Sequence, residues 1–130
     1  MPNHYHAVVW IDHHRARVLR FNASEADEQI LRPDHPAHSL HHKDSIGSGR
    51  APEDQHFLEA VAKSLADAGA VLIVGPSSEK NELVKHIKNH HPEMAIRIEG
   101  VESLDHPTDG ELLAYARRYL KSADLMRPQI

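Results

Sequence analysis

Apolar residues along the chain fall into short runs with two distinct periods. In HAVVWIDHHRARVLRF, the runs 7–11 and 16–21 are rich in β-branched and aromatic residues. The polar group Asp12-His13-His14-Arg15 between them reads as a turn, so the segment predicts a β-hairpin. AVVWI is continuously apolar, as in a central strand covered on both faces. A weaker third strand is expected at 28–31, closing a three-strand meander before Arg32-Pro33.

From residue 33 to 52 the pattern disappears. PDHPAHSLHHKDSIGSGRAP has three prolines, two glycines and almost no apolar side chains, which predicts a long exposed loop. Such loops are uncommon inside compact domains and tend to be functional or disordered.

Helical periodicity follows. Pro52 suits a first helical turn, where its missing N–H costs nothing. Phe57, Leu58, Val61, Ala62 and Leu65 then form one apolar stripe running to about Ala68, with Gly69 as the stop. AVLIV at 70–74 reads as a buried parallel strand. A second helix is expected at 79–91, with Leu83, Val84 and Ile87 on its inner face, Ser77 or Ser78 as N-cap and Pro92 as terminator. A fifth strand is expected at 95–101, with Ile96, Ile98 and Val101 pointing one way. Thr108 and Glu111 form a capping box that launches a third helix bearing Leu112, Leu113, Ala116 and Leu120. The tail, 122–130, is expected to fray.

The order β-β-β-α-β-α-β-α implies an α/β fold in one domain covering 1–130, with a mixed five-stranded sheet. At 130 residues the chain is long enough to bury a core. No apolar run is long enough to span a bilayer, so no membrane association is expected. The start MPNHYHAVVW does not read as a signal peptide. Zero cysteines exclude disulfides, thiolate metal sites and cysteine nucleophiles. Together these features point to the cytoplasm.

Net charge is −4 with histidine neutral, which argues against a protein that coats duplex nucleic acid. Any RNA contact has to be local. Histidine is the unusual component: eight of thirteen lie in the first 42 residues. Because imidazole titrates near pH ~6.5, mild acidification would turn the chain net positive.

Four constellations could carry chemistry. In HSLHHKDSIGSGR (38–50), His41, His42, Lys43 and Arg50 could meet RNA phosphate while Gly47 and Gly49 allow close backbone approach. The plain alternative is a solvated connection. The N-terminal histidines offer ligands for zinc or nickel, with His4-x-His6 and His38-x-x-His41 as short pairs; His4 and His6 would share one face of a strand. No resident cofactor is expected, and solvated histidines are the favoured reading. Asp12, at the end of the first strand, with Glu53, Asp54 or Glu59 from the first helix, could serve two-metal phosphodiester hydrolysis, but the strand ending Val74-Gly75-Pro76-Ser77 supplies no acid where one would be wanted. Asp105 and His106 place an acid beside an imidazole at a strand's C-terminal end, a frequent site location in α/β folds. GPSSEK at 75–80 lacks the second glycine and the Ser/Thr of a phosphate loop.

The segments AVVWIDHHRARVLRF, EQILRP, HHKDSIGSGR, FLEAVAKSL and AVLIVGPSSEKNELVKHI, taken in order, resemble the central domain of eukaryotic and archaeal class-1 translation release factors. The likeness covers about residues 6–121 and implies a ribonuclease-H-like arrangement. HHKDSIGSGR and GVESLDHPTDGELLAYARRYL are also similar to small bacterial proteins of the translational-machinery or host-attachment type. In release factors the matching loop carries a Gly-Gly-Gln tripeptide that enters the peptidyl-transferase centre. Here that position reads Gly47-Ser48-Gly49-Arg50, without the glutamine or the adjacent glycine pair. The resemblance therefore implies a non-catalytic module that contacts the ribosome or structured RNA, not peptidyl-tRNA hydrolysis. A histidine-based metal-binding protein is the second expectation and a metal-dependent hydrolase the third. Pairing of two copies is expected if an edge strand is left open.

Overall fold

The computed structural model describes residues 6–22, 24–33 and 52–126, the side chains of 52–54 and 122–126 excepted. Its elements are β1 (His6–Ile11), β2 (Ala16–Phe21), β3 (Ala26–Leu31), α1 (Pro52–Ser64), β4 (Ala70–Gly75), α2 (Glu79–His90), α3 (Pro92–Ala95), β5 (Ile98–Ser103) and α4 (Asp109–Met126). The five strands form one mixed sheet in the order β3-β2-β1-β4-β5. The β3-β2-β1 meander is antiparallel, and β1, β4 and β5 run parallel.

Both hairpin turns are closed by a side-chain oxygen that replaces backbone partners. Asp12 Oδ1 accepts the N–H groups of His14 (2.8 Å) and Arg15 (3.0 Å). Asn22 Oδ1 does the same for Ser24 and Glu25.

The apolar run of β1 makes it the spine of the molecule. Successive side chains of a strand point to opposite faces. Ala7, Val9 and Ile11 accordingly join one core with α1 and α2, through Phe57, Leu58, Val61, Leu83 and Ile87. Val8 and Trp10 join a second core with α4, through Leu112, Ala116 and Leu120. Every residue from Ala7 to Ile11 is fully buried, as a two-faced central strand requires. β3 is mostly exposed along its length, so no alternating apolar pattern marks its first residues. It is held by pairing with β2 and by Arg20, which reaches Asp27 and Gln29.

Several boundaries depart from expectation for identifiable reasons. The first helix stops at Ser64 rather than near Ala68. Residues 65–68 tighten into i→i+3 turns, and Arg97 donates to the carbonyls of Ala66 (3.0 Å) and Ala68 (3.3 Å). Pro92 does not simply end the second helix; it opens the four-residue α3, a position where proline's missing N–H is no loss. Ser78 occupies the N-cap position of α2 but makes no side-chain capping bond. The fifth strand starts at Ile98, leaving Ile96 outside it and 81% exposed. The ladder to β4 skips a residue between Ile98 and Gly100, and this bulge explains why Ile98 and Val101, three apart, pack on the same core.

The capping box forms as read. The Thr108 N–H donates to Glu111 Oε1 (2.8 Å), and the Glu111 N–H donates to Thr108 Oγ1 (3.1 Å). The α4 backbone remains helical through Met126, into the tail expected to fray from residue 122.

Candidate functional site

Two polar clusters sit on opposite faces of the sheet. The first lies where the C-terminal ends of β1, β4 and β5 meet the start of α4. Trp10 is fully buried, and its Nε1–H donates to the carbonyls of Asp105 (2.6 Å) and Leu104 (3.3 Å). The Arg17 guanidinium lies over the Trp10 ring at 5.3 Å and donates to Asp109 Oδ1 (2.6 Å) and the Pro107 carbonyl (2.9 Å). That contact holds the Asp109 carboxyl below its usual range, helped by a hydrogen bond from Glu28, while burial pulls the other way. Glu28 is pushed up, first by the same hydrogen bond with Asp109 and then by burial.

Asp105 and His106 border this cluster. His106 Nδ1 lies 2.9 Å from Asp105 Oδ1, and its ring centre lies 5.0 Å from that of Trp10 at a 53° tilt. Both side chains are largely solvent-exposed. The acid–imidazole pair read from the sequence therefore exists, as part of the cover over Trp10. Asp12 sits at the same sheet edge, where its Oδ1 is engaged in closing the first turn. His13, which the sequence reading left among the ligand-rich histidines, places Nδ1 3.0 Å from Oε1 of Glu79, an almost completely buried carboxylate at the start of α2.

The second cluster lies between α1 and the α2–α3 junction. Glu59 is on α1, with Leu58 and Ala62 beside it buried in the core. His86 is on α2 between the buried Leu83 and Ile87, and its side chain is 6% exposed. His91 follows α2 and starts α3. Its N–H donates to the Ile87 carbonyl (2.7 Å), and its own carbonyl accepts from Met94 (2.8 Å) and Ala95 (3.1 Å). Backbone on both sides of the ring is thus fixed.

His86 Nε2 lies 2.7 Å from Glu59 Oε1, and His91 Nε2 lies 2.9 Å from the same oxygen. The His86 contact is the main reason the Glu59 carboxyl titrates below its usual range, with His91 adding to it and burial opposing. Among the described residues, this is the one group of three histidine, cysteine or carboxylate side chains whose ligand atoms all lie within 4.8 Å of one another.

The sequence reading did not single out His86 or His91, and weighed Glu59 only as a carboxylate for hydrolysis. The available signal was the pair of imidazoles at the end of an amphipathic helix. The other half of the cluster comes from a helix about 30 residues earlier, a proximity that local periodicity does not reveal. His6 begins β1, its ring 5.7 Å from that of Phe21, and belongs to no such group among the described residues. His4, His38, His41, His42, Lys43, Gly47, Gly49 and Arg50 lie outside the described residues.

No protein-family profile matches the chain, and no curated protein does. Solved structures do. Archaeoglobus fulgidus Pelota superposes with a TM-score of 0.65 at 17% identity, over 94% of this chain and 34% of that one. Saccharomyces cerevisiae Dom34, described as a translation termination-like factor involved in RNA quality control and interacting with Hbs1, gives 0.62 at 10% identity over 97% and 37%. The archaeal translation termination factor aRF1 gives 0.60 at 12% identity over 96% and 39%. The likeness is one of fold. It spans nearly all of this chain and less than two fifths of each of these proteins. The α/β architecture with a mixed five-stranded sheet is thereby found in proteins of the release-factor kind.

Proposed function

We propose that the protein is a non-catalytic binding module of the translation apparatus, a counterpart of the release factors' central domain. The observation that supports this most is the match in fold over 94–97% of the chain to Pelota, Dom34 and aRF1. The sequence adds a glycine-bearing basic loop, residues 38–50, between the meander and α1, where the release factors carry their catalytic tripeptide. Lys43, Arg50, His41 and His42 supply the phosphate-directed groups, and Gly47 and Gly49 supply backbone access. With no glutamine beside those glycines, the loop lacks the group that acts on a peptidyl-tRNA ester. Work at the ribosome places the protein in the cytoplasm; among the described residues no helix is long and apolar enough to cross a membrane.

Co-sedimentation with ribosomes at low salt tests the proposal. Wild-type protein is expected to pellet with ribosomes, and the Lys43→Ala/Arg50→Ala variant to pellet less. Because phosphate contacts release counterions, the wild-type fraction should fall as salt rises. Failure of the wild type to pellet, or equal pelleting by the variant, rejects the reading.

A further inference from the structure

The Glu59–His86–His91 cluster brings two imidazoles and a carboxylate together, their ligand atoms all within 4.8 Å of one another. His86 Nδ1 lies 3.2 Å from Gln55 Oε1. With that amide oxygen accepting from Nδ1–H, the neutral ring carries its lone pair on Nε2, the form that ligates a metal; with the amide turned over, Nε2 carries the proton. Nε2 in turn faces Glu59 Oε1 at 2.7 Å, and His91 Nε2 approaches the same oxygen at 2.9 Å. In that tautomer a metal ion can sit between the imidazole and carboxylate lone pairs, and without metal the Nε2–H form donates to Glu59 instead.

We propose that Glu59, His86 and His91 form a binding site for a divalent zinc-class cation that joins α1 to the α2–α3 junction. Two imidazoles and one carboxylate are a known zinc donor set when a fourth position is left to water. Glu59 and His91, at 32% and 24% side-chain exposure, leave that position on the solvent side, while His86 anchors the site from the interior. Zinc bonds of about 2.0–2.2 Å set tetrahedral ligands roughly 3.3 Å apart. The contacts of 2.7 and 2.9 Å must therefore widen by about half an ångström, within reach of a flexible glutamate. Gln55 is the outer partner that would accept from Nδ1–H and orient the ring once Nε2 holds the ion, as second ligand shells commonly do. It lies one helical turn before Glu59 on α1, so the helix presents both to α2. This inference is independent of the proposed translation role and concerns a site on the helices, separate from the N-terminal histidines.

Calorimetric titration of untagged, chelator-treated protein with zinc chloride provides the test, with thermal melting as a second readout. The expected result is one equivalent bound with a Kd of micromolar or tighter and a higher Tm in the presence of zinc. His91→Ala and Glu59→Gln should each weaken binding at least about 100-fold, since outer-shell partners alone are worth roughly 10–100-fold. These two side chains are partly exposed, so the variants remain usable if His86→Ala fails to fold. Gln55→Ala should lose about tenfold or more, and Gln55→Glu, which retains an acceptor for Nδ1–H, should recover it. A control carrying His4→Asn, His6→Asn, His38→Asn and His41→Asn should bind as the wild type does. Wild-type affinity no better than millimolar overturns the assignment. So does tight binding retained by His91→Ala, or tight binding lost in the N-terminal control.

Discussion

The two faces of the sheet carry polar clusters of opposite logic. On the α4 face, the Arg17 guanidinium brings only donors, and its neighbours Asp109 and the Pro107 carbonyl bring only acceptors. The set completes itself, and Trp10 beneath it is satisfied by two backbone carbonyls. On the α1–α2 face, the converging atoms are two imidazole nitrogens and a carboxylate oxygen. That set closes when each Nε2–H donates to the carboxylate, and it can exchange those protons for a metal ion. The difference separates a polar cluster that closes a structure from one that is organised to take a ligand. Depth of burial does not make the distinction, since Arg17 and His86 are almost equally buried.

The largest effect should come from breaking the platform of the α4 face. Trp10→Ala removes a fully buried indole that fills the second core and lies under both Arg15 and Arg17. A loss of about 3–5 kcal/mol is expected in denaturant unfolding. If the two faces are separate, zinc affinity of the folded fraction should not change. A change comparable to that of His91→Ala would show that the clusters are coupled through β1.

Next is Arg17→Met, which keeps an apolar stem on the indole but deletes the donors to Asp109 and Pro107. A loss of about 1–3 kcal/mol is expected, because the part-buried acceptors left behind lose a charged partner. The cost should be the same with and without zinc. Its counterpart on the other face, His91→Ala, should show the reverse: a modest change without metal and loss of the zinc-dependent rise in Tm. Equal zinc dependence of the two variants would remove the distinction between the clusters.

How much of this was legible in the sequence depends on the range of the cause. AVVWI, the Asp12 turn and the Thr108/Glu111 box are local, and each forms as read. The α1 stripe is right in its residues and long at its end, because the last turn is finished by Arg97, a residue far along the chain. Ile96 was misplaced for a related reason. Three isoleucine and valine positions invite a strand, but the bulge in β5 and the short helix at Pro92 shift the register. The His86–His91–Glu59 group was hidden altogether. On its own helix each member passes for a solvent-facing polar residue, and eight histidines near the start drew attention away from the two that converge. Packing of α1 on α2 supplies the missing information, and no single segment contains it.

The smallest expected effect probes the contact of Glu28 with Asp109 in the α4-face cluster. The two carboxyls share a hydrogen bond that raises Glu28 and lowers Asp109, whose first partner is Arg17. The signs differ. Asp109, depressed below 3.8, contributes stability above that pH and loses it as pH falls through its folded value. Glu28, raised above 4.5, contributes below that pH and loses its contribution as pH rises through its folded value. Where both acids are charged they repel, and Arg17 offsets only part of that repulsion. Glu28→Gln keeps a donor for Asp109 without a proton to lose. It should therefore stabilise the protein slightly once pH rises past the folded value of Glu28, by at most about 0.5 kcal/mol for so exposed a pair, and much less in acid, where Glu28 keeps its own proton. Thermal melts of both proteins across pH 3–8 measure it. A gain that is largest in acid, or a loss at pH 7, would mean that Glu28 serves Arg17 as a second acceptor, and that the α4 face needs both acids to be complete.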